Sequence, residues 1–214
     1  MLSQHDTKEG RCVMKKFFKM FADSAKEFGS VKSITVTGMF IAVSMVIESL
    51  SIDIGYTKIN FAFLAIAVIG MLFGPVVGFG AGLICDVVGF FVHPTGGSFM
   101  PVYTLVAGLQ GLIYGICLYH KYEMHIVVKG KDISLFVRAT VARLLDVVII
   151  NLLINTKLLL YYGWIPAAAY SEAIIARVAK NAIELAADLP MLYILLPVCL
   201  LAYKRSFTGS KAKA

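Results

Sequence analysis

Residues 177–188 read Arg-Val-Ala-Lys-Asn-Ala-Ile-Glu-Leu-Ala-Ala-Asp. Within them Arg177, Asn181, Glu184 and Asp188 recur every three or four positions, so a helix places all four on one narrow face. The surrounding stretch is otherwise apolar enough to cross a bilayer. Ionisable groups at that depth are costly and turn toward a partner, a cavity or another helix. The stripe therefore predicts a helical membrane protein that presents polar chemistry from inside the bilayer.

Composition agrees. The chain has 214 residues, of which 59% are hydrophobic and 15% charged. Mean hydropathy is +0.81. A soluble domain carries about a quarter charged residues. The length fits one domain, and no linker or composition break divides it. Net charge is +7, but the basic residues collect at the two ends and in one central loop, unlike a nucleic-acid surface. Cys12, Cys85, Cys117 and Cys199 lack metal-ligand spacing, and three of them lie in apolar runs, which fits small buried residues.

Working outward, six spans are expected near 33–52, 59–74, 76–93, 100–119, 134–161 and 171–203. Phe73-Gly74-Pro75 reads as a tight turn between the second and third. The last two exceed a bilayer's need, so they tilt, kink or project, and Pro190 and Pro197 are candidate bends in the last.

Lysine and arginine placement sets the orientation. Lys8, Arg11, Lys15, Lys16, Lys19, Lys26 and Lys32 precede the first span. Lys121, Lys129 and Lys131 lie between the fourth and fifth, and Lys204, Arg205, Lys211 and Lys213 follow the last. Six spans put all three groups on one side, which the positive-inside rule makes cytoplasmic, with both termini there. Three regions result: residues 1–32 as a cytoplasmic N-terminal segment, 33–203 as a six-helix membrane domain, and 204–214 as a cytoplasmic basic tail. Residues 1–13 are polar and expected to be unstructured. Phe17, Phe21 and Phe28, with the lysines around them, predict a short amphipathic helix lying in the interface.

Small residues mark close helix contacts. Gly38 and Ala42 form a small-xxx-small pair in the first span. Gly74, Gly78 and Gly82 repeat the spacing in the third, and Ala107, Gly111 and Gly115 in the fourth. Internal packing fits most of these, and a partner-docking surface fits the first helix best.

Polar residues gather toward the outward half. They include Lys58 and Asn60, with Phe61 beside them, then His93, Ser98 and Tyr103. Asn151 and Asn155 follow on one face, then Lys157, Trp164, Glu172 and Arg177. Convergent amides, an arginine, lysines and aromatics suit an organic anion with an aromatic ring. Structural roles compete: Lys58 can snorkel, Tyr103 and Trp164 can anchor at the interface, Asp86 can cap or pair, and Arg177 can simply neutralise Glu184 or Glu172.

No metal-ligand set, nucleophile elbow or P-loop is present, so ATP hydrolysis is not expected of this chain. A transport role would draw energy from elsewhere.

Met71-Leu-Phe-Gly-Pro-Val-Val-Gly, Asp86, His93-Pro-Thr-Gly-Gly and Gly111-Leu-Ile-Tyr-Gly together resemble the substrate-binding S components of energy-coupling factor (ECF) vitamin transporters. Ile154-Asn155-Thr156, with Ala176-Arg177 and Pro190, resembles the folate branch of that family. The likeness covers roughly residues 33–200. Two positions depart from the pattern: Lys157 replaces an apolar residue, and Ala65 stands where a proline is usual.

The resemblance implies six helices with cytoplasmic termini in the bacterial plasma membrane, and no enzyme activity or cofactor. It implies capture of folate at the outer face. It also implies docking on a membrane coupling protein that carries two cytoplasmic ATPases, with Gly38 and Ala42 at the docking surface and toppling of the S component to deliver its ligand inward. On this reading Arg177, Lys58 and Lys157 would neutralise the two carboxylates of the glutamate tail. Asn151, Asn155 or an acid would meet the pterin edge, and Phe61, Tyr103 and Trp164 would wall the rings. The competing readings are an S component for another vitamin or heterocycle, a small membrane-embedded transferase, and a channel. An asymmetric outward polar cluster fits a binding cup better than a through-pore.

Overall fold

The computed structural model describes the backbone of residues 3–49, 52–54, 57–59, 61–92, 99–122, 127–128, 131–163 and 170–208. Eight α-helices cover most of these: α1 (Ser3–Glu27), α2 (Val31–Ser49), α3 (Phe63–Phe73), α4 (Pro75–Val92), α5 (Pro101–Leu118), α6 (Ser134–Leu145), α7 (Thr156–Tyr161) and α8 (Tyr170–Thr208). A π-helical stretch, Asp146–Asn155, joins α6 to α7. The residues at both joints keep right-handed helical dihedrals, so 134–161 forms one rod, as the hydropathy pattern predicts.

Two expectations need correction. The helices within the first two spans, expected near 33–52 and 59–74, are shorter at the facing ends: Val31–Ser49 and Phe63–Phe73. Ile52–Ile54 and Thr57–Ile59 pair instead as an antiparallel ribbon, with Asp53 opposite Lys58. The helix that follows has 11 residues, about 16 Å, against a hydrocarbon core of about 30 Å. The body is therefore all-α, with this ribbon and a second one at Val127–Val128 and Lys131–Asp132. Four helices among the described residues are long and apolar enough to cross a membrane: Val31–Glu48, Pro75–Val92, Pro101–Tyr122 and Ile174–Phe207. The N-terminal segment also departs from expectation, because α1 begins at Ser3 rather than after residue 13.

Every residue of α3 is buried. It has no polar side chain on any face, so only the centre of a bundle suits it. It packs against α2, α4, α5 and α8. The closest helix contact joins α4 and α5. A Cβ on Gly111 would lie 2.0 Å from Gly78 O, and one on Gly82 would lie 2.2 Å from Ala107 O. The stripes in these two helices are thus internal seams where backbones touch. The turn from α3 to α4 needs Gly74, whose φ is +86°, a region L-residues avoid.

One end of the bundle gathers the basic segments. Lys121 Nζ lies 2.5 Å from Glu27 Oε1. Lys32 Nζ lies over the rings of Tyr203 and Phe207. Arg138, at the start of α6, donates to Cys117 O at 2.7 Å and Tyr119 O at 2.9 Å, and so closes the end of α5. The N-terminal segment, the loop after α5 and the end of α8 therefore share one side, as the charge pattern requires.

Candidate functional site

The polar stripe of α8 faces the π-helical stretch, which carries Asp146, Asn151 and Asn155. On α8, Asn181 and Asp188 are buried and Arg177 and Glu184 half-buried, while Val178, Ala179, Ala182, Ile183, Ala186 and Ala187 are exposed. The stripe thus faces inward and the apolar remainder faces out, the arrangement a bilayer requires.

Midway along the bundle lies an ionic cluster. Arg143 Nε donates to Asp188 Oδ2 at 3.0 Å, and Nη2 also pairs with that oxygen. Arg143 Nη1 lies 2.5 Å from Asp146 Oδ2 and 3.3 Å from Tyr114 OH. Gln110 Nε2 adds a bond to Asp146 at 3.1 Å. The guanidinium also sits 4.1 Å from the centroid of Phe63, a favourable cation–π placement. Asp146 Oδ1 is buried and has no hydrogen-bond donor among the described residues.

Beyond this cluster, toward the opposite end from the basic segments, lie the amides and Arg177. Asn155 Nδ2 donates to Asn151 Oδ1 at 3.3 Å. Thr156 Oγ1 donates to Asn151 O at 3.2 Å, five residues back, the spacing of a π-turn. Arg177 Nη1 reaches the same carbonyl at 3.4 Å. Tyr103 lies at the start of α5, half-buried. Asn155 Oδ1 is a second buried acceptor with no donor among the described residues.

The structure brings together Asn151, Asn155 and Arg177. Phe61 is half-buried against the core, and Lys157 is exposed on α7. Lys58 lies in the ribbon, opposite Asp53; its side chain, like Trp164, His93 and Ser98, falls outside the described residues. Asp86 accepts from Thr104 Oγ1 at 2.6 Å, a structural pair. Glu184 lies 3.4 Å from Lys180, and Arg177 forms no ion pair among the described residues. Sequence reasoning missed Arg143, Asp146, Gln110 and Tyr114. The signal was present: Arg143 and Asp146 stand three apart inside an expected span, the same kind of intramembrane charge that marks residues 177–188.

The docking candidates lie elsewhere. Gly38 and Ala42 are exposed on α2, and a Cβ on Gly38 would meet nothing within 4 Å. A groove of about 290 Å³ runs between α1, α2 and α4, lined by Phe28, Ile34, Thr37, Gly38, Ile41 and Ile84 among others. Among the described residues, no group of His, Cys, Asp and Glu could hold a metal ion.

These features define a helical membrane protein with a polar surface enclosed in an apolar bundle. The family described as ECF transporter, substrate-specific component, matches residues 32–200, and the chain belongs to it. It is similar to the folate transporter FolT of Clostridium novyi (strain NT), with 31% identity over 134 residues, 63% of this chain and 69% of that one. It is also similar to the crystal structure of FolT bound with folic acid: TM-score 0.64, 31% identity, covering 78% of this chain and 94% of that chain.

Proposed function

We propose that this chain captures folate at the outer face of the bacterial plasma membrane and delivers it inward as the substrate-binding subunit of an ATP-driven ECF importer. The observation that carries this reading is Arg177. Its guanidinium is half-buried beside Asn151 and Asn155, and no carboxylate pairs with it among the described residues. A positive charge so placed suits an anionic ligand, and folate ends in two carboxylates. The similarity to folate-bound FolT supports folate as that anion.

Arg177 grips one carboxylate, with Lys58 and Lys157 supplying further positive charge near the mouth. The amides of Asn151 and Asn155 meet the pterin edge, and the unpaired Asn155 Oδ1 accepts one of its N–H donors. Tyr103, Phe61 and Trp164 wall the rings. Six membrane passes, with both termini cytoplasmic, put this surface outward and the basic end inward. The open face at Gly38 and Ala42 docks on the membrane coupling protein, whose two ATPase partners supply the energy, and the bundle topples to release its ligand.

Calorimetry on the purified chain without ATP tests the reading. Saturable heat with folate or a reduced folate is expected. No folate heat, with another vitamin binding instead, would keep the family and overturn the substrate.

A further inference from the structure

Helix α1 lies before the part of the chain that the family shares, which begins at residue 32. Its C-terminal half has three distinct faces. Met20 and Ser24 are buried against the bundle. Met14, Phe18, Phe21 and Ala25 follow one another at spacings of four, three and four, which forms a continuous apolar stripe. Met14 and Phe18 on that stripe are 58% and 69% exposed, and Phe17, beside the stripe, meets Phe21 with ring centroids 4.9 Å apart. A third stripe holds Lys15, Lys19 and Lys26, all exposed, with Lys16 close by.

A helix with an uncovered phenylalanine stripe flanked by lysines, fixed to the basic end of a membrane bundle, has the chemistry of an anionic bilayer surface. The apolar stripe enters the acyl boundary, and the ammonium groups meet the phosphates. The helix is not tethered only through its chain. Ser24 Oγ accepts from Val76 N at 3.0 Å and donates to Phe73 O at 2.7 Å. Glu27 pairs with Lys121, and Tyr122 OH donates to Asp23 at 2.7 Å. These bonds join α1 to the α3–α4 turn and to the end of α5.

We infer that α1 is an anionic-lipid-binding arm, and that its bonds through Ser24 and Glu27 hold the turn-bearing end of the bundle at the headgroup layer. Neutral headgroups engage the phenylalanine stripe alone and leave the lysines without counter-charges.

The full-length protein in nanodiscs tests this by amide hydrogen exchange over residues 14–27, in phosphatidylcholine with and without phosphatidylglycerol. Exchange should be roughly tenfold slower in the anionic discs, the scale that one or two basic residues at an anionic surface supply. High salt should erase the difference in the wild-type protein. Lys15→Gln, Lys19→Gln and Lys26→Gln combined should erase it too, with exchange in residues 63–118 unchanged as the check on folding. Equal exchange in both discs overturns the proposal, including the case where protection appears only when a coupling protein is added. The readout does not involve folate, so it stands or fails apart from the substrate assignment.

Discussion

Ser24 caps a helix to which it does not belong. Helix α4 opens at Gly74-Pro75, where the residue in the capping position has no side chain. Ser24 Oγ, from α1, takes that place, accepting from Val76 N at 3.0 Å and lying 3.4 Å from Val77 N. The first turn of a helix leaves its N–H groups unpaired, and a hydroxyl there satisfies them. Ser24→Ala should therefore cost about 0.5–2 kcal/mol, the usual loss for a cap. Thermal unfolding in detergent measures it, and an unchanged midpoint would show that the bonds contribute nothing.

Arg143 holds two buried carboxylates, Asp146 and Asp188. Its removal leaves a negative pair without compensation in a low-dielectric interior. Arg143→Met should destabilise by roughly 3–5 kcal/mol. Replacing the carboxylates too, as Asp146→Asn and Asp188→Asn in the same chain, should recover part of the loss. A triple variant no more stable than the single one would refute the electrostatic account.

The glycines of α2 and α5 should behave oppositely. Gly111→Ala places a methyl against Gly78 O, and overpacking of this kind costs about 1–3 kcal/mol. Gly38→Leu projects into open space. It should leave melting and folate binding intact while uptake by the assembled transporter falls. Normal uptake would move the docking surface away from Gly38.

Arg177→Ala should weaken folate binding by roughly 2–5 kcal/mol if a desolvated charge pair is lost. Arg177→Lys should recover little, since a lysine cannot form the two parallel bonds of a guanidinium. The ligand-free midpoint should scarcely move, because Arg177 has no carboxylate partner among the described residues. Wild-type affinity in the alanine variant would remove Arg177 from the site.

Glu27 predicts an acid limb of stability. Burial raises its pKa, but Lys121 and Ser33 outweigh that, and the carboxyl ends below its ordinary 4.5. A group depressed on folding contributes stability above its unfolded value, lost as pH falls through the folded one. Its contribution to melting should therefore be full and independent of pH near neutrality and decline below about pH 4.5. Glu27→Gln should flatten that decline in a pH series of unfolding midpoints. A decline of equal steepness in the variant would assign it to other groups.

Much of this architecture was legible from residue order alone. The period of Arg177, Asn181, Glu184 and Asp188 fixed which face of α8 turns inward, because a helix in lipid cannot expose charge. The lysine clusters identified the segments that meet at one end. Asn151 and Asn155 were paired by spacing, and even the π-helical turn keeps them within 3.3 Å. What spacing could not supply was partnership across helices. The glycine stripes of α4 and α5 look like that of α2, and only packing separates the seams filled by a neighbour's backbone from the open one at Gly38. Hydropathy marked residues 59–74 as a span but could not show that its helix runs only from Phe63 to Phe73, behind a ribbon, since burial in protein and burial in lipid select the same side chains. Arg143 was one intramembrane charge among several until Asp188, 45 residues away, closed on it. Sequence determines which groups must find partners; the tertiary fold decides which partner each one finds.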